Sequence, residues 1–185
     1  MKQPALGMIE FKSIARGVKT ADAMIKKAPI HILETHPICP GKYMILFCGE
    51  VADVEESLAE GISIGGDMVI NDLIIPNLHK QIIPALTGTN PVENFKSLGI
   101  VETFSIASCV VAADKAVKMA QVELVEIRLA NGLGGKAYFV MTGELYDVEA
   151  SVQTAVEHIK EEGMLAASEI IQNPHPVLIE KGVYF

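Results

Sequence analysis

The chain repeats itself, and that repeat constrains the fold more than any other feature. Residues Leu6-Gly7-Met8-Ile9-Glu10, Ser13-Ile14-Ala15, Val18, Ala21-Asp22, Lys26, Ala28 and Glu34 return 92 positions later. Their counterparts are Leu98-Gly99-Ile100-Val101-Glu102, Ser105-Ile106-Ala107, Val110, Ala113-Asp114, Lys118, Ala120 and Glu126. The offset then becomes 94, matching Gly41-Lys42, Gly49-Glu50 and Asp53-Val54-Glu55 to Gly135-Lys136, Gly143-Glu144 and Asp147-Val148-Glu149. It ends at 96, pairing Met68 with Met164, Ile74-Ile75 with Ile170-Ile171, Asn77 with Asn173 and His79 with His175. Solenoid units run to about 20–50 residues in three or more copies, so so long a period used twice indicates duplicated domains. Turn-forming residues from Thr87 to Asn94 make a natural linker, which divides the 185 residues into domains 1–90 and 91–185.

Each half reads as an α+β unit. Leu6 to Phe11 alternates as a strand, and Ser13 is placed to cap a helix with Ile14, Val18, Ala21 and Ile25 on one apolar face. Ile30 to Glu34 and Tyr43 to Phe47 read as two strands joined by a Pro/Gly-rich connection. Asp53, with Glu56 three residues on, is placed to cap a second helix burying Val54 and Leu58. A strand over Met68 to Ile75 and a tail helix over Leu78 to Leu86 complete the unit. The order β-α-β-β-α-β, unpermuted, is that of a ferredoxin-like sandwich with helices on one face of an antiparallel sheet.

Composition narrows the function. Half the residues are hydrophobic and the formal charge is −8, which argues against disorder and against binding of nucleic acid or anionic lipid. No apolar run approaches the roughly 20 residues of a membrane span, and Met1-Lys2-Gln3-Pro4 lacks a signal-peptide core. Three cysteines are too few, and odd in number, for a disulfide framework, so a reducing cytoplasm is expected.

The segments Gly7-Met8-Ile9-Glu10, Ala21-Asp22-Ala23-Met24 and Lys26-Ala28, with their copy from Gly99, resemble the opening signature of bacterial microcompartment (BMC) shell domains. Gly49-Glu50-Val51 and Gly143-Glu144-Leu145 continue the pattern. The resemblance implies a structural shell protein, not an enzyme, in which two tandem domains form a trimer that mimics a hexamer. Its implied partners are its own copies, other shell proteins and perhaps an encapsulated redox enzyme.

Within the tandem members, His36-Pro37-Ile38-Cys39-Pro40-Gly41-Lys42 resembles a pore loop whose cysteine holds an iron–sulfur cluster on the threefold axis. The resemblance therefore implies a [4Fe–4S] cluster shared by three copies of Cys39, with His36, Pro37, Ile38, Pro40 and Gly41 around it. No C-x-x-C is present, so one chain cannot supply the usual three or four thiolates, whereas threefold symmetry presents one cysteine three times. Pro37 and Pro40 restrict the backbone beside Cys39, and Gly41 permits a sharp turn. A solvated turn with an incidental thiol is the alternative, and His36 reads equally as a solvated loop histidine. Cys48, on a strand, and Cys109, on a helix opposite Gly17, read as packing residues.

The matching loop of the second half, with Asn131, Gly132, Leu133 and Gly134, precedes a strand, where a nucleotide loop would open a helix; it reads as a pore-lining turn. Lys26 and Lys118 are the expected tile-edge contacts. Asn77 and Asn173 stand where many family members carry an edge arginine. Electron relay across the shell is the expected role. The rivals are a cluster-free pore for small metabolites and a ferredoxin-like regulatory trimer unrelated to shells.

Overall fold

A computed structural model describes residues 4–182. It forms two compact units that meet between Leu78 and His79, each described here by itself.

In the first unit, β1 (Ala5–Phe11), β2 (His31–Ile38), β3 (Lys42–Gly49) and β4 (Val69–Ile75) make one antiparallel sheet in the order β2-β3-β1-β4. Helices α1 (Ile14–Lys27) and α2 (Val51–Gly65) pack on each other and on the sheet. This is the expected ferredoxin-like order. β1 is buried along its whole length because it is central, flanked by β3 and β4 and covered by α2. Its Ile9 and Phe11 join Met24, Ile45, Phe47, Val54 and Leu58 in the core.

The second unit repeats the plan with β5 (Ser97–Thr103), β6 (Val122–Leu129), β7 (Ala137–Gly143) and β8 (Leu165–Ile171), ordered β6-β7-β5-β8. Its helices are α4 (Ile106–Met119) and α5 (Leu145–Glu161). Even the irregularities recur: a register shift falls between Glu10 and Phe11 on β1 and between Glu102 and Thr103 on β5.

Ser13 caps α1 as expected, its hydroxyl accepting from the Arg16 backbone N–H at 3.2 Å, and Ser105 does the same for α4. Three expectations are corrected. Asp53 is not a cap: α2 begins two residues earlier behind Glu50, leaving Asp53 in the first turn, where a carboxylate still complements the helix dipole. The buried face of α1 is Gly17, Thr20, Ala21 and Met24, while Ile14, Val18 and Ile25 lie at 44%, 52% and 50% exposure. The apolar stripe is wider than the area the sheet can cover, so its outer edge faces away from it. Finally, the first tail helix is shorter than expected, α3 (Ile82–Leu86), and it packs on β6 and α4. Residues 79–90 thus belong to the second compact unit, where the repeat alone had grouped them with the first. A second tail helix, α6 (Pro176–Gly182), follows β8.

Among the described residues no helix is long and apolar enough to cross a membrane.

Candidate pore loop and its counterpart

The Cys39 loop is a tight connection between the edge strand β2 and its neighbour β3. β2 runs four residues beyond the expected strand, so His36, Pro37 and Ile38 lie on it and pair with Met44, Tyr43 and Lys42. Only Cys39, Pro40 and Gly41 remain as turn. Pro37 is tolerated because β2 is an edge strand. Ile38 is buried and anchors the turn, Cys39 is partly exposed, and Pro40 and Gly41 are exposed. Gly41 has φ 76°, a left-handed conformation that disfavours any residue with a Cβ. The Cys39–Pro40 peptide is cis.

Side chains on both strands hold this end in place. Lys42, the first residue of β3, donates to the buried carboxylate of Glu10 at 3.2 Å. The hydroxyls of Thr35 and Tyr43 are hydrogen bonded at 3.0 Å. His36 bridges the Glu34 carboxylate through Nε2 and the Pro37 carbonyl through Nδ1, both at 3.0 Å. Burial works to lower the His36 pKa, but the Pro37 carbonyl and the Glu34 carboxylate together outweigh it and raise the net value. Glu34 was not singled out from the sequence, although its i, i+2 spacing from His36 on a strand places both side chains on one face.

The loop of the second unit differs in shape and chemistry. Ala130 has φ 48°, and Gly132, Gly134 and Gly135 have φ of 73°, 62° and 92°. Backbone bonds from Ala130 N–H to the Lys136 carbonyl and from Lys136 N–H to the Leu133 carbonyl, both 3.1 Å, close it. It leads into β7, so no helix N-terminus faces it, as expected for a turn and not a phosphate cradle. Asn131, Gly132 and Gly134 are exposed and Leu133 partly so. Its β6 strand carries Glu126 and Arg128 at the positions of Glu34 and His36, paired at 3.5 Å, and Tyr138 donates to Glu126 at 2.7 Å.

The other thiols sit elsewhere. Cys48 is on β3 opposite His31, and burial raises its pKa. Cys109 is fully buried on α4; burial pushes its pKa up to about 12 despite a hydrogen bond with Thr103. Both therefore behave as packing residues, and Cys39 is the one cysteine on a turn. Among the described residues of a single chain, no group of three His, Cys, Asp or Glu side chains could hold a metal ion.

Lys26 is exposed and pairs with Asp22 at 2.6 Å, whereas Lys118 makes the same i, i+4 pair with a buried Asp114. Asn77 and Asn173 are exposed in the segments after β4 and β8.

Comparison with known proteins agrees with this architecture. The BMC domain family model matches twice, over residues 5–78 and 97–174. The bacterial microcompartment shell protein PduT of Citrobacter freundii is 42% identical over 171 residues, covering 92% of this chain and 93% of the relative. The carboxysome shell protein CcmK2 of Thermosynechococcus vestitus is 29% identical over 99 residues, spanning 50% of this chain and 97% of its own. The crystal structure of a microcompartment protein from Desulfitobacterium hafniense DCB superposes with a TM-score of 0.93 at 46% identity, covering 96% of this chain and 99% of that one. The relatives are structural proteins by name, in line with the expectation that the chain is not an enzyme. With the family pattern present in both halves and the fold matched throughout, the chain belongs to the BMC domain family, as a microcompartment shell protein built from two tandem BMC domains.

Proposed function

We propose that this shell protein works as a homotrimer in which three copies of Cys39 hold one [4Fe–4S] cluster, and that the assembly relays electrons across the microcompartment shell. The observation that carries this reading is the placement of Cys39. It is a partly exposed thiol on a three-residue turn, fixed by Ile38 on one side and the Lys42–Glu10 pair on the other. A ligand shared between subunits needs such a fixed position. One thiolate from each of three subunits satisfies three irons of a cube and leaves the fourth for another ligand. When bound, the cluster would supply one-electron redox chemistry. The protein's own part is to present Cys39 on a stiff turn, with His36 and Glu34 on the strand beside it. The second unit has no cysteine in its loop, so a pseudo-sixfold ring would offer three thiolates and not six.

A cluster-free pore is the second reading, favoured by the lack of a three-ligand group among the described residues of one chain. Membership of the BMC family removes the third, a regulatory trimer unrelated to shells. The experiment is anaerobic purification with iron and sulfide supplied, followed by iron analysis and EPR. Wild-type protein should be brown and carry about one cluster per trimer, and Cys39→Ser should lose colour and signal while keeping its oligomeric state. A colourless wild type establishes the pore reading instead.

A further inference from the structure

The two units differ in what covers their first helix. In the second, residues 79–90 lie against α4 and β6. The His79 backbone N–H donates to the Asp114 carboxylate at 2.8 Å. The Gln81 amide grips the edge strand, donating to the Val122 carbonyl at 3.0 Å and accepting from the Leu124 N–H at 2.7 Å. Ile82 of α3 is fully buried, and Ile106, Val110 and Val117 on α4 are at most 6% exposed.

The first unit has the same seat without a cover. Ile14, Val18 and Ile25 match Ile106, Val110 and Val117 at the offset of 92, and they are about half exposed. Asp22 matches the buried Asp114, keeps the same lysine pair, and is itself exposed.

The chain also carries a second tail of matching form. In both tails a histidine carbonyl accepts from the backbone N–H three residues on, at 3.0 Å for His79 and Ile82 and 2.9 Å for His175 and Leu178. In both, the same histidine's Nδ1 accepts from the N–H two residues on, at 3.4 Å and 3.2 Å. Leu178 stands at the place of Ile82 but is 39% exposed, beside Val177 at 56%.

We propose that the open seat on α1 binds the α6 tail of a second copy of this chain. The His175 N–H would bond Asp22, and Leu178 would enter the face made by Ile14, Val18 and Ile25. Each copy gives one tail and receives one, a heterologous contact that must close into a ring or propagate. This inference rests on the homotrimer reading for the number three and supplies the contact that builds it. Two differences make this seat weaker than the intrachain one. Val177 replaces Gln81, so the grip on the edge strand has no equivalent, and Lys181 replaces Ala85.

Light scattering after size exclusion tests it with Val18→Asp, which spoils the seat, and Leu178→Asp, which spoils the tail. Both sites are exposed within the chain, so circular dichroism should match wild type. Each variant alone should be monomeric. Mixed at equal concentration they should form dimers, because one keeps a sound tail and the other a sound seat; this rescue also shows that both are folded. Trimeric wild type with trimeric variants, or monomeric variants that fail to pair, overturns the inference and leaves the trimer reading standing. A monomeric wild type overturns both.

Discussion

Gly17 and Cys109 occupy equivalent places in the two halves, and each is tied to its neighbour across the helix–sheet interface. A Cβ on Gly17 would come within 2.3 Å of the Tyr43 ring, so α1 meets β3 through a bare backbone. At the position of Tyr43 the second unit has Ala137, which leaves space that the fully buried Cys109 occupies on the opposing helix. Volume is conserved across the pair while both residues change. The loops behave differently. Cys39 and its prolines have no compensating partner in the second unit, and the glycine-rich turn there has its own geometry. Core positions in the duplicated domain have diverged in matched pairs because close packing couples neighbours. Loop positions have diverged singly because they face no such constraint.

The largest contrast is in thiol chemistry. Cys39 should react with a thiol reagent in the apo protein on mixing. Cys109 should be protected roughly 10³-fold or more, reacting only through unfolding. Reaction of Cys109 at a comparable rate would mean that the second core is open.

Next comes the coupled pair. Gly17→Cys should destabilise the assembled protein by about 2–3 kcal/mol through overpacking against Tyr43. Tyr43→Ala should cost about 3 kcal/mol through the cavity and the lost Thr35 bond. The double variant should be better than the sum of the two by about 1 kcal/mol or more in urea unfolding at fixed protein concentration. Strict additivity would break the argument that these residues share one volume.

In the other direction, Cys109→Gly should cost about 2 kcal/mol, combining lost helix propensity with a small void. The same measurement checks it, and no change would show that the second unit repacks freely.

The smallest effect separates Glu34–His36 from Glu126–Arg128. The folded-state pKa of His36 is raised above 6.5, so its contribution is complete below the unfolded value and lost as pH rises through the folded one. The stability of wild type over His36→Gln should therefore be greatest near about pH 5.5 and fade by about pH 8, amounting to less than about 1 kcal/mol because the pair is solvent-screened. His36→Arg, which copies the second unit, should remove the pH dependence in that window. A difference from His36→Gln that grows with pH would contradict the sign.

The sequence carried much of this through periodicity and spacing. The order of elements was legible because strands alternate with period two and the helices begin at Ser13 and Ser105, whose hydroxyls can take up free backbone donors. The packing role of Cys109 was legible from its alignment with Gly17. What α1 buries was not. Ile14, Val18 and Ile25 do line one side of the helix, but periodicity marks an apolar stripe without saying whether the covering surface belongs to the same sheet. The Glu34–His36 pair went unseen because β2 was read four residues short, which left His36 in a loop with no defined neighbour.

By itself, then, the sequence determined that two ferredoxin-like BMC domains follow one another unpermuted and that a single cysteine stands in a stiff turn of the first. Those are properties of local order along the chain, set by side-chain period and backbone preference. Only the tertiary structure decided that the first tail seats on the second unit, through Asp114, Val122 and Leu124, and that the matching seat on α1 is left open. Which surface covers which depends on contacts between residues far apart in the chain, and such contacts leave no period to read.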